Sequence, residues 1–277
     1  MKPNKIAVHD ARLEVLDWGS GEPVVFIQTA LTADELRPIA TDPALDDHRR
    51  ILYYRRGYAG SSPVDGPGSI NREAADYAAL LTQLDIDRAH VVGLSFSSAI
   101  ALQIASDLPQ RAHSLTLIEP PPVHIPSADE FRAANERLIT SRRDRGLEAA
   151  LDEFLTIVIG PDWQQVAEEA LPGSSTQMRQ DVATFFDTDL PALLAWRFGP
   201  DEAARIGCPA LYIGGSDSGP WFAQVHELIL RWLPHAEDAI IDGADHSLAL
   251  THSRNIADVL YDFLKRNPTE ASHDSEP

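Results

Sequence analysis

The sequence predicts an α/β protein, a mainly parallel sheet with helices on both faces. The short, wholly apolar run at 24–27 has the composition of a strand buried on both sides, and 114–118 and 210–213 read as two more buried strands. Stretches with helical periodicity separate such runs; in 71–84, Ala74, Tyr77, Leu80 and Leu81 share one stripe. Strands that alternate with helices lie parallel and are joined by right-handed crossovers. From 121 to 205 the alternation stops and the pattern is helical throughout.

Taken in order, 5–8 and 12–18 read as an antiparallel pair, and Gly19-Ser20-Gly21-Glu22-Pro23 supplies the turn into the strand at 24–27. A further strand is expected at 50–54, then the helix at 71–84, a strand at 90–92 and a helix at 97–106. The strand at 114–118 is the sixth. After the helical interval come a strand at 210–213, a helix at 222–232, a last strand at 238–241 and a closing helix at 256–265. Residues 1–120 and 206–266 therefore make the core. Within 121–205, Leu147, Leu151, Phe154, Leu155 and Val158 fall on one stripe and Met178, Val182 and Phe185 on another. An insertion of that size between two strands predicts a helical cap over one sheet edge. Residues 267–277, polar and ending in proline, read as a disordered tail.

A formal charge of −19 leaves nothing to neutralise phosphates, which excludes nucleic-acid binding. No stretch reaches the roughly 20 apolar residues of a membrane span, and the N-terminal residues do not form a signal peptide. Cys208 is the single cysteine, so no internal disulfide is available. A cytoplasmic protein acting on a small-molecule substrate is expected; oligomeric state is not legible. Gly19-Ser20-Gly21 precedes a strand instead of opening a helix, so it is no dinucleotide fingerprint. Neither a His-Glu-x-x-His pattern nor paired cysteines suggest a metal, and no cofactor is expected.

The chemistry centres on His90-Val91-Val92-Gly93-Leu94-Ser95-Phe96-Ser97-Ser98-Ala99. An apolar run ends at glycine, a serine follows, and small residues begin at once. This predicts a strand, a sharp turn and a helix, with Ser95 strained and exposed at the tip. A serine hydroxyl needs a base, and the base needs an acid to hold it. His246, in Asp242-Gly243-Ala244-Asp245-His246, follows the last strand, and Asp217, in Gly214-Gly215-Ser216-Asp217-Ser218, follows the one before. Both fall at the carboxyl edge of the sheet, where open α/β sheets place their sites.

With these segments the chain resembles the α/β-hydrolase superfamily, in its cap-bearing branch of serine esterases, lactonases, carbon–carbon bond hydrolases and cofactor-free haloperoxidases. The resemblance spans about residues 12–265. It rests also on 21–27 leading into the oxyanion loop and on Tyr54-Arg55-Arg56-Gly57-Tyr58-Ala59-Gly60-Ser61-Ser62. It implies an oxyanion hole made by the backbone amides of Ala30 and Phe96. It also offers Glu119, at the end of the sixth strand, as an alternative to Asp217, which is the commoner placement. The chain departs from the family where the elbow's last glycine is Ser97, where Leu94 precedes the nucleophile, and where the usual His-Gly is Gln28-Thr29. Gln28 and Thr29 bring extra hydrogen-bonding groups and are expected at the substrate, as are His124 and Trp221. Arg55 and Arg56 are expected to pair with acids. The expected reaction is hydrolysis of a small or medium carboxylic ester or lactone through an acyl-enzyme; the alternative is ligand binding, or lyase or cyclase chemistry, in the same pocket.

Overall fold

Eight strands form one sheet in the computed structural model, which describes residues 2–64 and 67–269. They are β1 (Asn4–Val8), β2 (Ala11–Trp18), β3 (Pro23–Ile27), β4 (Arg49–Tyr53), β5 (Ala89–Leu94), β6 (Ala112–Ile118), β7 (Ala210–Gly215) and β8 (Glu237–Ile241). Their order is β1-β2-β4-β3-β5-β6-β7-β8. The pairs β1–β2 and β2–β4 are antiparallel. From β4 across to β8 every pair is parallel. The expected α/β class and the expected strands are therefore present, with ends shifted by a residue or two.

The apolar runs behave as the pleat requires. Val25, Ile27, Val91 and Leu115 enter the core on one face, whereas Val24, Phe26, Val92 and Ile213 enter the core on the other. Successive side chains on a strand point to opposite faces, so a central strand clad on both sides must be apolar throughout.

Helices α1 (Ile70–Gln83) and α2 (Phe96–Asp107) precede and follow β5, and α7 (Gly219–Trp232) and α8 (Ser253–Arg266) flank β8 in the chain. Between β6 and β7 lie α3 (Ala128–Arg145), α4 (Leu147–Val158), α5 (Trp163–Ala170) and α6 (Ser174–Thr184), followed by a π-helical turn at Phe185–Asp189. These helices share an apolar cluster of their own, in which Leu151, Leu155, Met178, Val182 and Phe185 are buried. Leu31, from the loop after β3, belongs to the same cluster and joins the inserted helices to the sheet edge. No helix among the described residues is long and apolar enough to cross a membrane. Of the tail expected at 267–277, residues 270–277 lie outside the described residues.

The β5–α2 turn sets the position of Ser95. Its backbone sits at φ 47°, ψ −116°, a conformation costly for a residue with a side chain. Ser95 N donates to Ile118 O at 2.9 Å, which ties the turn to the end of β6. Gly93 is required by close approach: a Cβ there would stand 2.5 Å from Ser97 O and 2.8 Å from Ser98 Cα. Ser97, where the family has glycine, turns its small side chain back into the turn. Its Oγ accepts from Leu94 N at 2.9 Å and donates to Leu94 O at 3.0 Å.

Candidate active site

Ser95, His246 and a carboxylate lie in line at the carboxyl edge of the sheet. Ser95 Oγ is 3.2 Å from His246 Nε2, and His246 Nδ1 is 2.6 Å from Glu119 Oε2. The imidazole stacks on Phe222, with ring centroids 4.1 Å apart and planes at 21°. That contact fixes the ring's tilt, and the carboxylate fixes its rotation and tautomer.

The acid on the imidazole is Glu119, where Asp217 was expected. Glu119 follows β6, the strand hydrogen-bonded directly to β5, and its backbone takes φ 43°. From there the glutamate side chain reaches His246 fully buried, and its second oxygen accepts from Gly215 N at 2.8 Å. Asp217 stands beyond β7, one strand further from the nucleophile, with its side chain exposed. Its amide donates to Ala244 O at 2.8 Å and its Oδ1 accepts from Ser216 Oγ at 3.0 Å. Asp245 is likewise occupied away from the ring, accepting from Ser247 N at 2.8 Å and from Ser247 Oγ.

A cavity of about 390 Å³ opens over Ser95 and His246. Thr29, Ala30, Phe96 and Trp221 line it, together with Phe131 and Asn135 of α3 and part of α4. Among the described residues, neither the Ala30 nor the Phe96 amide has an acceptor in the protein. Two expected substrate contacts are absent from this cavity. His124 packs on Trp196 and Trp232 at a separate hollow, because the chain turns away from the sheet edge before α3 begins. Burial and the nearby Arg132 and Arg197 push its imidazole down to about 4.

Gln28 is the other correction. It is buried and faces away from the cavity, where its Oε1 accepts from Arg55 N at 3.2 Å and its Nε2 donates to Thr29 O. Arg55 also donates to Gln28 O at 2.8 Å and to Thr29 O at 3.2 Å. Its guanidinium is fully buried, paired with Asp189 at 3.0 and 2.6 Å and with Glu73 at 3.5 Å, and it lies 4.5 Å from the centre of the Phe96 ring. Tyr58 completes the bracket: its hydroxyl donates to Asp189 at 2.5 Å and accepts from Leu31 N at 3.0 Å. Thr29 Oγ1 donates to Leu94 O at 2.8 Å, locking the loop to the elbow. The left-handed residue of this loop is Leu31, at φ 63°. With two carboxylates around one guanidinium, burial pushes Glu73 up to about 7 against the pull of Arg55.

One cavity-lining acid is not singled out by the sequence. Glu35 follows the oxyanion loop and shares the cavity with Ser95 and His246. Among the described residues its carboxylate has no hydrogen-bond or ion-pair partner. Burial pushes it up to about 7, only partly offset by His246. Because the folded value lies above the unfolded one, the folded state pays for ionisation as pH rises from about 4.5 to about 7. Glu35→Gln should therefore stabilise the protein by up to about 3 kcal/mol at pH 8 and change little at pH 4.5. Urea unfolding of both proteins at the two pH values checks this; an equal difference at both would refute it.

An open, mostly parallel sheet that presents a strained serine beside an imidazole at its carboxyl edge is the arrangement of an α/β hydrolase. Known proteins agree. A family model described as "Alpha/beta hydrolase family" matches residues 18–259, and the chain belongs to that family. A protein of Pseudomonas syringae pv. syringae (strain B728a), named "Putative carbamate hydrolase RutD", is 28% identical over 230 residues, 79% of this chain and 84% of that protein. The enol-lactonase of Burkholderia xenovorans LB400 superposes with a TM-score of 0.79 at 22% identity, covering 95% of this chain and 100% of that one. A thermophilic esterase of Thermogutta terrifontis superposes with a TM-score of 0.80 at 19% identity, covering 97% and 100%. At such identities the two structures share the fold.

Proposed function

We propose that this α/β hydrolase cleaves a small or medium carboxylic ester or lactone through an acyl-enzyme on Ser95. The observation that carries the reading is the continuous line from Ser95 Oγ through both nitrogens of His246 to Glu119. In this reading His246 Nε2 takes the proton as Ser95 Oγ attacks the carbonyl. Glu119 holds Nδ1–H and stabilises the imidazolium. The free amides of Ala30 and Phe96 receive the oxyanion, and His246 then passes its proton to the departing alcohol. A water activated by the same imidazole releases the acid. The inserted helices act as a cap that sets the size and shape of the acyl or alcohol group. The enol-lactonase and esterase neighbours support a carbonyl substrate, and the carbamate hydrolase relative extends the range to carbonyls bearing nitrogen.

An alkyl fluorophosphonate tests the nucleophile without knowledge of the substrate. Mass spectrometry at neutral pH is expected to find one adduct, on the peptide carrying Ser95, and none after Ser95→Ala. A folded protein that takes no label would overturn the reading.

A further inference from the structure

We propose that the cavity over Ser95 holds a cation subsite at Glu35, and that the substrates are esters bearing a protonated amine. The inference rests on the serine-hydrolase reading above and names its substrate class. Glu35, Ser95 and His246 line one cavity, so a group held by Glu35 belongs to the molecule whose carbonyl meets Ser95. The Glu35 side chain is partly buried and, among the described residues, makes no hydrogen bond or ion pair and feels only the nearby His246, whereas buried carboxylates are ordinarily paired or hydrogen-bonded. The other acids of the cavity wall are otherwise engaged, Asp217 with Ser216 and Asp245 with Ser247. Among the described residues, no lysine or arginine lines the cavity. The Arg55 guanidinium lies against the Phe96 ring, fully buried and committed to Asp189.

The remaining wall suits a cation as well. Phe131 of α3 and Trp221 of α7 meet edge to face, with ring centroids 5.4 Å apart, and Phe222 stacks on the imidazole. Aromatic faces in the same cavity as a carboxylate attract an ammonium and give nothing to an anion. The same wall repels the carboxylate that ester hydrolysis generates, which favours release of the acid product. Serving His246 alone would be a different role for Glu35. It would raise or lower turnover of every ester alike, whereas a subsite alters the choice between esters.

Butanoate esters of 3-(dimethylamino)propanol, 4-methylpentanol and 4-hydroxybutanoate are close in shape and differ in charge. At pH 8, with acid release followed by titration, the ammonium ester should exceed its neutral isostere by about 10–100-fold in kcat/KM, with the anionic ester lowest. In Glu35→Gln the ammonium-to-neutral ratio should fall to about 2 or less. Wild-type ratios near one, or a ratio unchanged in Glu35→Gln, would overturn the subsite. Calorimetry of the ammonium and neutral esters on Ser95→Ala reads the same preference without turnover. If no ester is hydrolysed, the hydrolase reading fails. Tighter binding of the ammonium ester on Ser95→Ala would still support the subsite, and equal binding would end it.

Discussion

Glu119→Gln is expected to lower kcat on an activated ester by about 10⁴-fold, and Asp217→Asn by no more than about threefold. The neutral amide is nearly isosteric with the carboxylate and can still accept from Gly215 N through its oxygen. Its NH₂ group would then face His246 Nδ1, the atom now 2.6 Å from a carboxylate oxygen. An amide donor there holds the imidazole in the tautomer whose Nε2 carries the proton. That nitrogen can no longer take the proton of Ser95, and the developing imidazolium loses its counter-charge. Asp217 makes only an exposed contact with Ser216, so its neutralisation reaches the ring weakly. Steady-state kinetics of the two variants at pH 8 decide between the acids. A larger loss from Asp217→Asn would place the acid at the end of β7 and contradict the geometry.

The second large effect concerns stability. Arg55→Met should destabilise the protein by about 3–5 kcal/mol, because it leaves Asp189 buried with its charge uncompensated. It should also lower kcat with little change in KM. The guanidinium donates to the carbonyls of Gln28 and Thr29, lies against the ring of Phe96, and so braces both sides of the proposed oxyanion hole. Losing one oxyanion donor typically costs about 10²–10³ in rate, and a loosened loop should cost part of that. Replacing Asp189 by leucine as well removes the stranded charge, so the double variant should recover stability but not kcat. Urea unfolding and kinetics on the single and double variants measure both. A destabilisation below about 1 kcal/mol for Arg55→Met would show the pair to be incidental.

This bracket explains how the chain dispenses with the His-Gly of its family. Thr29 has a side chain where the family has none, and the loop accommodates it by donating its hydroxyl to Leu94 O. The turn that a glycine would ease is taken instead at Leu31, whose amide is held by Tyr58. A strained loop persists when its surroundings over-determine it, and here a buried arginine, a tyrosine and an aspartate from the inserted helices do so. The oxyanion loop and the helical insertion are thus tied through one residue, Asp189.

What was legible from residues alone was local. The strand at 24–27 was readable because burial on both faces demands an unbroken apolar run, those at 90–92 and 114–118 because short, mostly apolar stretches stand between helical ones, and the elbow because Gly93 and Ser97 leave room for a strand and helix to cross. Ser95 and His246 could be named because each follows a strand end by a short, fixed distance. The choice between Glu119 and Asp217 was of another kind. Both follow strand ends, and only the order of strands and the reach of each side chain bring Glu119 to the ring and leave Asp217 exposed. Gln28 read as a group for the substrate, but its partner is Arg55, 27 positions away, and that contact exists only after β3 and β4 pair. Glu35 carried no signal at all, one acid among 42 Asp and Glu residues in a very acidic chain. Periodicity records which face of an element is dry. Which side chains meet across elements is decided by packing, because a hydrogen bond needs its atoms within about 3 Å and sequence spacing does not measure that distance.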